Sequence, residues 1–367
     1  MSEIVISGYY GFANAGDEAM LAAMIEALTD LEPTVKITVI SGNPVDTRRR
    51  HGVNAVYRLN YPEIIRALQR SDLLISGGGS LLQDVTSDRS LYYYLSIMML
   101  AKKLGKPVML YAQGIGPVRG ALARGAMRYI GNMVDLITVR DQGSREELQR
   151  LAVTRPPIFV TADPVLAMHQ VDKEIGRVIL RRHGLEGAAP LIGFSVREWK
   201  DWCYYKQVIA QAADYMADEF GARLVFIPMQ WPDDVAAAGK IVARMRRPAT
   251  LLDEEYTTGE LLSLVGNLDI LIGIRLHALI FAAVMEVPMV GVSYDPKIDR
   301  FLETLGERHA GTLQNVTVES LLAKVRALWP DAGRSGEMRR DRINALRRKA
   351  FWNAELALEL IARKRGE

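Results

Sequence analysis

Short apolar runs alternate with amphipathic stretches along most of the chain, and this alternation limits the fold more than any other feature. EIVIS (3–7), KITVIS (36–41), DLLIS (72–76), PVMLYA (107–112), DLITVR (135–140) and PIFVTA (157–162) read as strands. In the intervening EAMLAAMIEAL, residues Met20, Leu21, Met24, Ile25 and Leu28 share one helical face. Strand–helix alternation of this kind predicts a parallel, doubly wound sheet covered on both sides. The grammar then repeats in PLIGFSV, ARLVFIP, ATLLD, LDILIGI and PMVGVSY. The economical architecture is α/β, with two Rossmann-like doubly wound domains facing across a cleft. A composition shift in HQVDKEIGRVILRRHGLEGAA (169–189) marks the join. The expected domains are 1–175, 176–330 and a C-terminal segment 331–367, in which 337–365 reads as one helix.

A chain of 367 residues is long enough for two such cores. Its 46 basic and 43 acidic side chains are interspersed, so no nucleic-acid footprint is expected. The single cysteine, Cys203, excludes an internal disulfide and a cysteine metal cage, and fits a reducing cytosol. The histidines show no metal-ligand spacing, so no metal is expected. The opening MSEIVISGYYG lacks a basic leader, and the apolar run LYYYLSIMMLA (91–101) is too short to span a bilayer. A cytoplasmic protein is expected. Basic residues of 337–365 raise a peripheral contact with anionic lipid as an alternative to a solvated helix face, which is the favoured reading.

Function is suggested by cations just past strand ends in the second half. Arg197 follows PLIGFSV, Arg275 follows LDILIGI with His277 two residues on, and Lys297 follows PMVGVSYDP. Ligands of open α/β sheets bind outside the carboxyl ends of the strands. Converging positive charge there implies a small, strongly anionic ligand. His277 falls in the first turn of a predicted helix, whose free N–H groups favour neutral imidazole until an anion arrives. A group poised in this way suits general acid chemistry.

The first half supplies glycine-rich loops instead. Gly8-Tyr-Tyr-Gly11-Phe-Ala-Asn14-Ala-Gly16-Asp17 lacks the G-x-G-x-x-G spacing, which disfavours a nicotinamide cofactor; no cofactor is expected. Asp17 reads equally well as a helix cap or as a functional carboxylate. Gly77-Gly78-Gly79-Ser80 precedes Gln83 and Asp84, and Gln113-Gly114-Ile-Gly116 follows another strand. Three glycines in a row need positive φ or a close approach, to substrate or to a neighbouring helix, and substrate is the favoured partner.

GYYGFANAGDEAML, DLLISGGGSLLQD, YAQGIGPV, TVRDQGS, TADPVLA, GFSVRE, GIRLHALIFAA and PMVGVSYDPKI together resemble the polysaccharide pyruvyl transferase family, most closely its CsaB type. The resemblance covers about residues 4–300. It implies a GT-B-like fold, phosphoenolpyruvate as donor and a pyruvate ketal on a sugar as product. For the CsaB type the implied acceptor is N-acetylmannosamine in a lipid-linked cell-wall precursor at the inner membrane face, of the kind used in S-layer anchoring. The first domain then becomes the acceptor side and the second the phosphoenolpyruvate side. Arg197, Arg275 and Lys297 become donor ligands, His277 the acid and Asp17 (or Asp84) the base. Asn14, Gly78, Gly79, Asp84 and Gln113 become acceptor contacts. Two alternatives stay open: a nucleotide-sugar glycosyltransferase or epimerase, with Glu254, Glu255 or Glu260 on a ribose, and a non-catalytic carbohydrate- or anion-binding protein.

Overall fold

The computed structural model describes residues 1–84, 88–329 and 336–366. The chain forms two compact units. The first comprises Met1–Ala13, Asp17–Met168 and Leu346–Glu367; the second comprises Asn14–Gly16 and His169–Ala345.

The first unit is built on seven parallel strands: β1 (Glu3–Ser7), β2 (Lys36–Ser41), β3 (Asn54–Tyr57), β4 (Leu73–Ser76), β5 (Val108–Gln113), β6 (Leu136–Val139) and β7 (Ile158–Val160). Their spatial order is β3-β2-β1-β4-β5-β6-β7. The strands β4 and β5 are buried at every position, as expected of a parallel sheet covered on both faces. The order reverses between β1 and β4, which pair in register from Ile4↔Leu73 to Ser7↔Ser76. The loops after these two strands therefore leave the sheet side by side. β3, whose NAVY has little alternation, is the strand that the sequence pattern does not announce.

The second unit has five parallel strands: β8 (Leu191–Ser195), β9 (Arg223–Phe226), β10 (Thr250–Leu251), β11 (Ile270–Gly273) and β12 (Met289–Gly291). Their order is β10-β9-β8-β11-β12, with the reversal between β8 and β11. All five lie within the runs read as strands from sequence. Phe194 and Phe226 stack across neighbouring strands with centroids 5.0 Å apart, in the core beneath α8 (Tyr204–Phe220).

The terminal helix α14 runs from Gly336 to Arg365, as its sequence predicts; residues 331–335 of the expected third segment lie outside the described residues. From Leu346 onward it belongs to the first unit, where Ala354, Leu356, Ala357 and Ile361 join the core on one face of the sheet. Asn353 is fully buried there and accepts from Thr161 Oγ1 at 2.8 Å. Several of the helix's basic side chains are engaged by the protein's own carboxylates. Lys364 pairs with Asp135 at 3.0 Å and Arg365 with Asp72 at 2.7 Å, while in the second unit Arg340 pairs with Glu286 at 3.0 Å. Among the described residues no helix is long and apolar enough to cross a membrane.

Candidate functional site

The second sheet brings three strand ends to one level. Ser195, Gly273 and Gly291 close β8, β11 and β12 in mutual register. Residues two or three positions further on therefore emerge along a common edge, at and beside the reversal of strand order. Arg197, Arg275 and Tyr294 are those residues.

Arg197 and Lys297 meet on Tyr294. The Arg197 guanidinium carbon is 4.4 Å from the centroid of the Tyr294 ring and 5.2 Å from that of Trp199, and its Nη1 donates to the Tyr294 hydroxyl. Lys297 Nζ is 5.4 Å from the same ring and 3.6 Å from Asp295. Arg197 Nε is buried with no hydrogen-bond partner among the described residues. Asp295 caps α12 (Pro296–Thr304) by accepting from the Lys297 N–H at 3.1 Å, which fixes where the lysine stem begins.

The loop carrying Arg197 is fastened from below. Glu198 accepts from buried Lys206 and, at 2.7 Å, from Lys240. Burial pushes the Glu198 carboxyl up, but the hydrogen bonds from the two ammonium groups outweigh it and hold the carboxyl below the usual range. Lys206 lies in the first turn of α8 and would be costly to bury alone; Glu198 supplies its counter-charge. The arginine thus stands on an anchored segment.

Arg275 is differently placed from what its sequence position suggests. It occupies the N-cap of α11 (Leu276–Val284), yet its Nε donates to Asp234 Oδ2 at 3.0 Å and its Nη2 donates to Asp234 Oδ1. Nη2 also reaches Gln230 Oε1 at 3.3 Å. Asp234, in the first turn of α9 (Asp233–Val242) and only 1% exposed, further accepts from the N–H groups of Met229 and Gln230. A carboxylate so deeply buried requires a cation, and Arg275 is it. The bidentate face expected to hold a ligand anion is therefore occupied by the protein itself, and Nη1 is what remains to point elsewhere. Asp234 and Gln230 come from the β9–α9 connection, and no sequence signal linked them to Arg275.

His277 lies in the first turn of α11, beside Gly16. A methyl group on Gly16 would fall 2.1 Å from His277 Nδ1, so only glycine leaves room for the imidazole. Asn14, two residues earlier, accepts from the Gly16 N–H at 3.0 Å and forms an antiparallel bridge with Gln230. The Ala15 N–H donates to Met229 O at 3.0 Å. Asn14, read from sequence as a first-domain acceptor contact, therefore belongs to the segment of the second unit next to His277 and shapes a turn there.

In the first unit the glycine loops accommodate protein side chains. Cβ atoms on Gly8 and Gly77 would lie 2.3 and 2.0 Å from Tyr10, a ring with no exposure. Gly78 faces Met20 Sδ and Pro164, while Gly79, at φ +101°, faces Met20 and Asp17 Oδ1. Asp17 and Gly79 are thus neighbours, but the close approach that three glycines permit is largely made by Tyr10 and Met20. Gln113 has no exposed surface; its amide donates to the carbonyls of Ser76, at 3.2 Å, and Gly77. It ties the glycine loop to β5. Asp84 Oδ2 accepts from the N–H groups of Arg119 and Gly120, at 2.5 and 2.8 Å, at the start of α5 (Ala121–Gly131).

A buried ion pair and a buried histidine–carboxylate contact of this unit escaped the sequence reading. Arg140 pairs with Asp163 at 3.1 Å and donates to Ser80 Oγ at 3.2 Å, beside the glycine loop. His51 pairs with Glu18 at 2.9 Å, and Glu18 also accepts from the Gly11 N–H. Their partners are far apart in sequence, so spacing alone could not reveal them.

Two doubly wound parallel sheets define an α/β fold with GT-B-type architecture, and solved structures agree. S. aureus MnaA bound to UDP superposes with a TM-score of 0.67 at 13% identity, covering 100% of this chain and 97% of that one. The E. coli ADP-heptose lipopolysaccharide heptosyltransferase II gives 0.53 at 16% identity, covering 89% and 98%. At such identities the likeness concerns the fold. The chain belongs to the polysaccharide pyruvyl transferase family, whose sequence model matches residues 14–296. It is also 22% identical over 383 aligned positions to the amylovoran biosynthesis protein AmsJ of Erwinia amylovora, spanning 88% of this chain and 91% of that protein. It is accordingly a transferase with a pyruvyl-transfer role in polysaccharide synthesis.

Proposed function

We propose that the chain moves pyruvate from phosphoenolpyruvate onto a sugar, forming a cyclic ketal and releasing phosphate. The acceptor in this reading is an N-acetylmannosamine residue of a lipid-linked cell-wall precursor, as in the CsaB type, which would bring a cytoplasmic enzyme to the inner membrane face. The observation that carries it is the meeting of Arg197 and Lys297 around Tyr294 at the in-register strand ends. Phosphoenolpyruvate packs a carboxylate and a phosphate onto three carbons and demands fixed cations. A guanidinium binds either group bidentately, and the ammonium serves as a point charge on the other. Arg275 Nη1 adds a third donor, restrained by Asp234.

His277 gives a proton to the methylene carbon, which becomes the methyl group, and C2 becomes oxocarbenium-like. One sugar hydroxyl attacks C2. The second displaces phosphate from C2 and closes the ketal, so one hydroxyl proton replaces that given by His277 and the other leaves with phosphate. Asp17 is the candidate base for the acceptor. Preorganised cations around the departing phosphate supply the largest share of the rate enhancement.

The test is phosphate release from phosphoenolpyruvate with a synthetic N-acetylmannosaminyl acceptor. Turnover is expected, and Arg197→Ala should lower kcat/KM for the donor by about 100-fold, mostly through KM. One rival, raised by the shared fold alone, is a nucleotide-sugar transferase or epimerase. Tight UDP-sugar binding with no response to phosphoenolpyruvate would establish that rival instead.

A further inference from the structure

The loops after β1 and β3 carry a cation held by aromatic rings and, among the described residues, by no carboxylate. Tyr9 and Phe12 stack with centroids 4.3 Å apart and planes 13° apart. The Arg58 guanidinium carbon lies 5.4 Å from the Phe12 centroid and 4.9 Å from that of Tyr93. The Tyr93 hydroxyl donates to the Arg58 carbonyl at 2.9 Å, which pins the loop that presents the cation. Arg58 Nε is buried with no hydrogen-bond partner among the described residues.

The surroundings are as unusual as the cation. Tyr9 is 41% exposed, and the residues flanking Arg58, Tyr57 and Leu59, are 45% and 55% exposed. Large apolar side chains left to solvent around a fixed charge mark a binding surface more often than a packing accident. The Tyr9 hydroxyl feels both Asp17, which raises its pKa together with burial, and Arg58, which lowers it. The cluster therefore adjoins the carboxylate considered above as base.

We propose that Tyr9, Phe12 and Arg58 form a subsite for an anionic saccharide, with a sugar ring on the open face of Tyr9 and its phosphate or carboxylate on the Arg58 guanidinium. The C–H face of a pyranose matches an exposed aromatic ring. A guanidinium already partly desolvated by two rings binds an oxyanion through charge-assisted hydrogen bonds. This deepens the acceptor reading and rests on it: the subsite selects acceptors whose sugar carries an anionic linkage.

Titration calorimetry with N-acetylmannosamine 1-phosphate, the neutral parent sugar and inorganic phosphate tests it. The sugar phosphate should bind more tightly than either control. Arg58→Ala and Tyr9→Ala should each weaken it roughly tenfold, Arg58→Lys should weaken it less, and phosphoenolpyruvate affinity should be unchanged in all three. Inorganic phosphate binding as tightly as the sugar phosphate would overturn the saccharide assignment. Sugar phosphate affinity unchanged in Arg58→Ala would overturn the subsite altogether. Phosphate release from phosphoenolpyruvate in the same variants separates the two failures. Turnover without an Arg58 effect sinks the subsite alone, whereas no turnover in the unmodified protein sinks the pyruvyl-transfer reading. Arg58→Lys and a melting curve guard against mistaking misfolding for lost binding.

Discussion

The two reversals of strand order, one in each sheet, solve different physical problems. Around β1 and β4 the loops are rich in glycine, and the space that the glycines vacate is filled by Tyr10 and Met20. Around β8 and β11 glycine is scarce, and charge is paired: Asp234 with Arg275, Lys206 and Lys240 with Glu198, while Arg197 and Lys297 meet on Tyr294. The first reversal is defined by shape, the second by electrostatics. Substitutions at the packed glycines of the first should therefore register mainly in stability, and substitutions of the cations at the second in catalysis, unless they strike the buried counter-ions.

The sharpest test is His277→Ala, which should lower kcat by about 100- to 10,000-fold while the KM for phosphoenolpyruvate moves by less than about threefold. Steady-state kinetics decide it, and near-normal kcat would remove His277 as the acid. Next comes Asp234→Ala, which leaves Arg275 without its counter-charge and should cost about 3–5 kcal/mol in urea unfolding. Arg275→Met added to Asp234→Ala should recover part of that loss, because the uncompensated charge goes with it. Gly77→Ala follows: the new methyl would sit 2.0 Å from the oxygen of fully buried Tyr10, and overpacking of this kind costs about 1–3 kcal/mol. Its donor kinetics should stay near normal, which is what separates the two reversals.

The smallest effect concerns acid. Burial pushes the Asp135 carboxyl up, but bonds from Lys102, the Val108 N–H and Lys364 prevail and hold its pKa below the usual value. A carboxyl lowered in the folded state contributes stability above its unfolded pKa, about 3.9, and loses it as pH falls through the folded value. Asp135→Asn should therefore flatten the acid arm of stability below about pH 4 while lowering stability at neutral pH. Urea titrations across pH measure both.

The sheets were readable because buried parallel strands leave nearly continuous apolar runs between glycine-marked loops. β3 was not, since NAVY is a short edge strand with two exposed ends. The strand-end positions of Arg197, Arg275, His277 and Lys297 could be read from spacing alone. What those side chains hold could not. Asp234 reaches Arg275 from another βα connection, and Tyr294, the ring on which two cations meet, is one tyrosine among 14. The glycines were half legible for a related reason: sequence shows that a close approach is needed, but not which partner makes it. For Gly8 and Gly77 that partner is Tyr10, and for Gly16 it is His277.

The path of α14 bears on how the protein is made. Its later turns carry Ala354, Leu356, Ala357 and Ile361 into a core whose other buried members, such as Ile4, Leu21 and Met109, all precede residue 140. During vectorial synthesis, then, the earliest strands emerge long before the surface that covers them. The second unit, contiguous from His169 to Ala345 apart from the short Asn14–Gly16 segment, can gather its own core in the meantime. A nascent chain stopped before Leu346 would leave apolar flank on the first sheet open to water, chaperone or another copy of itself.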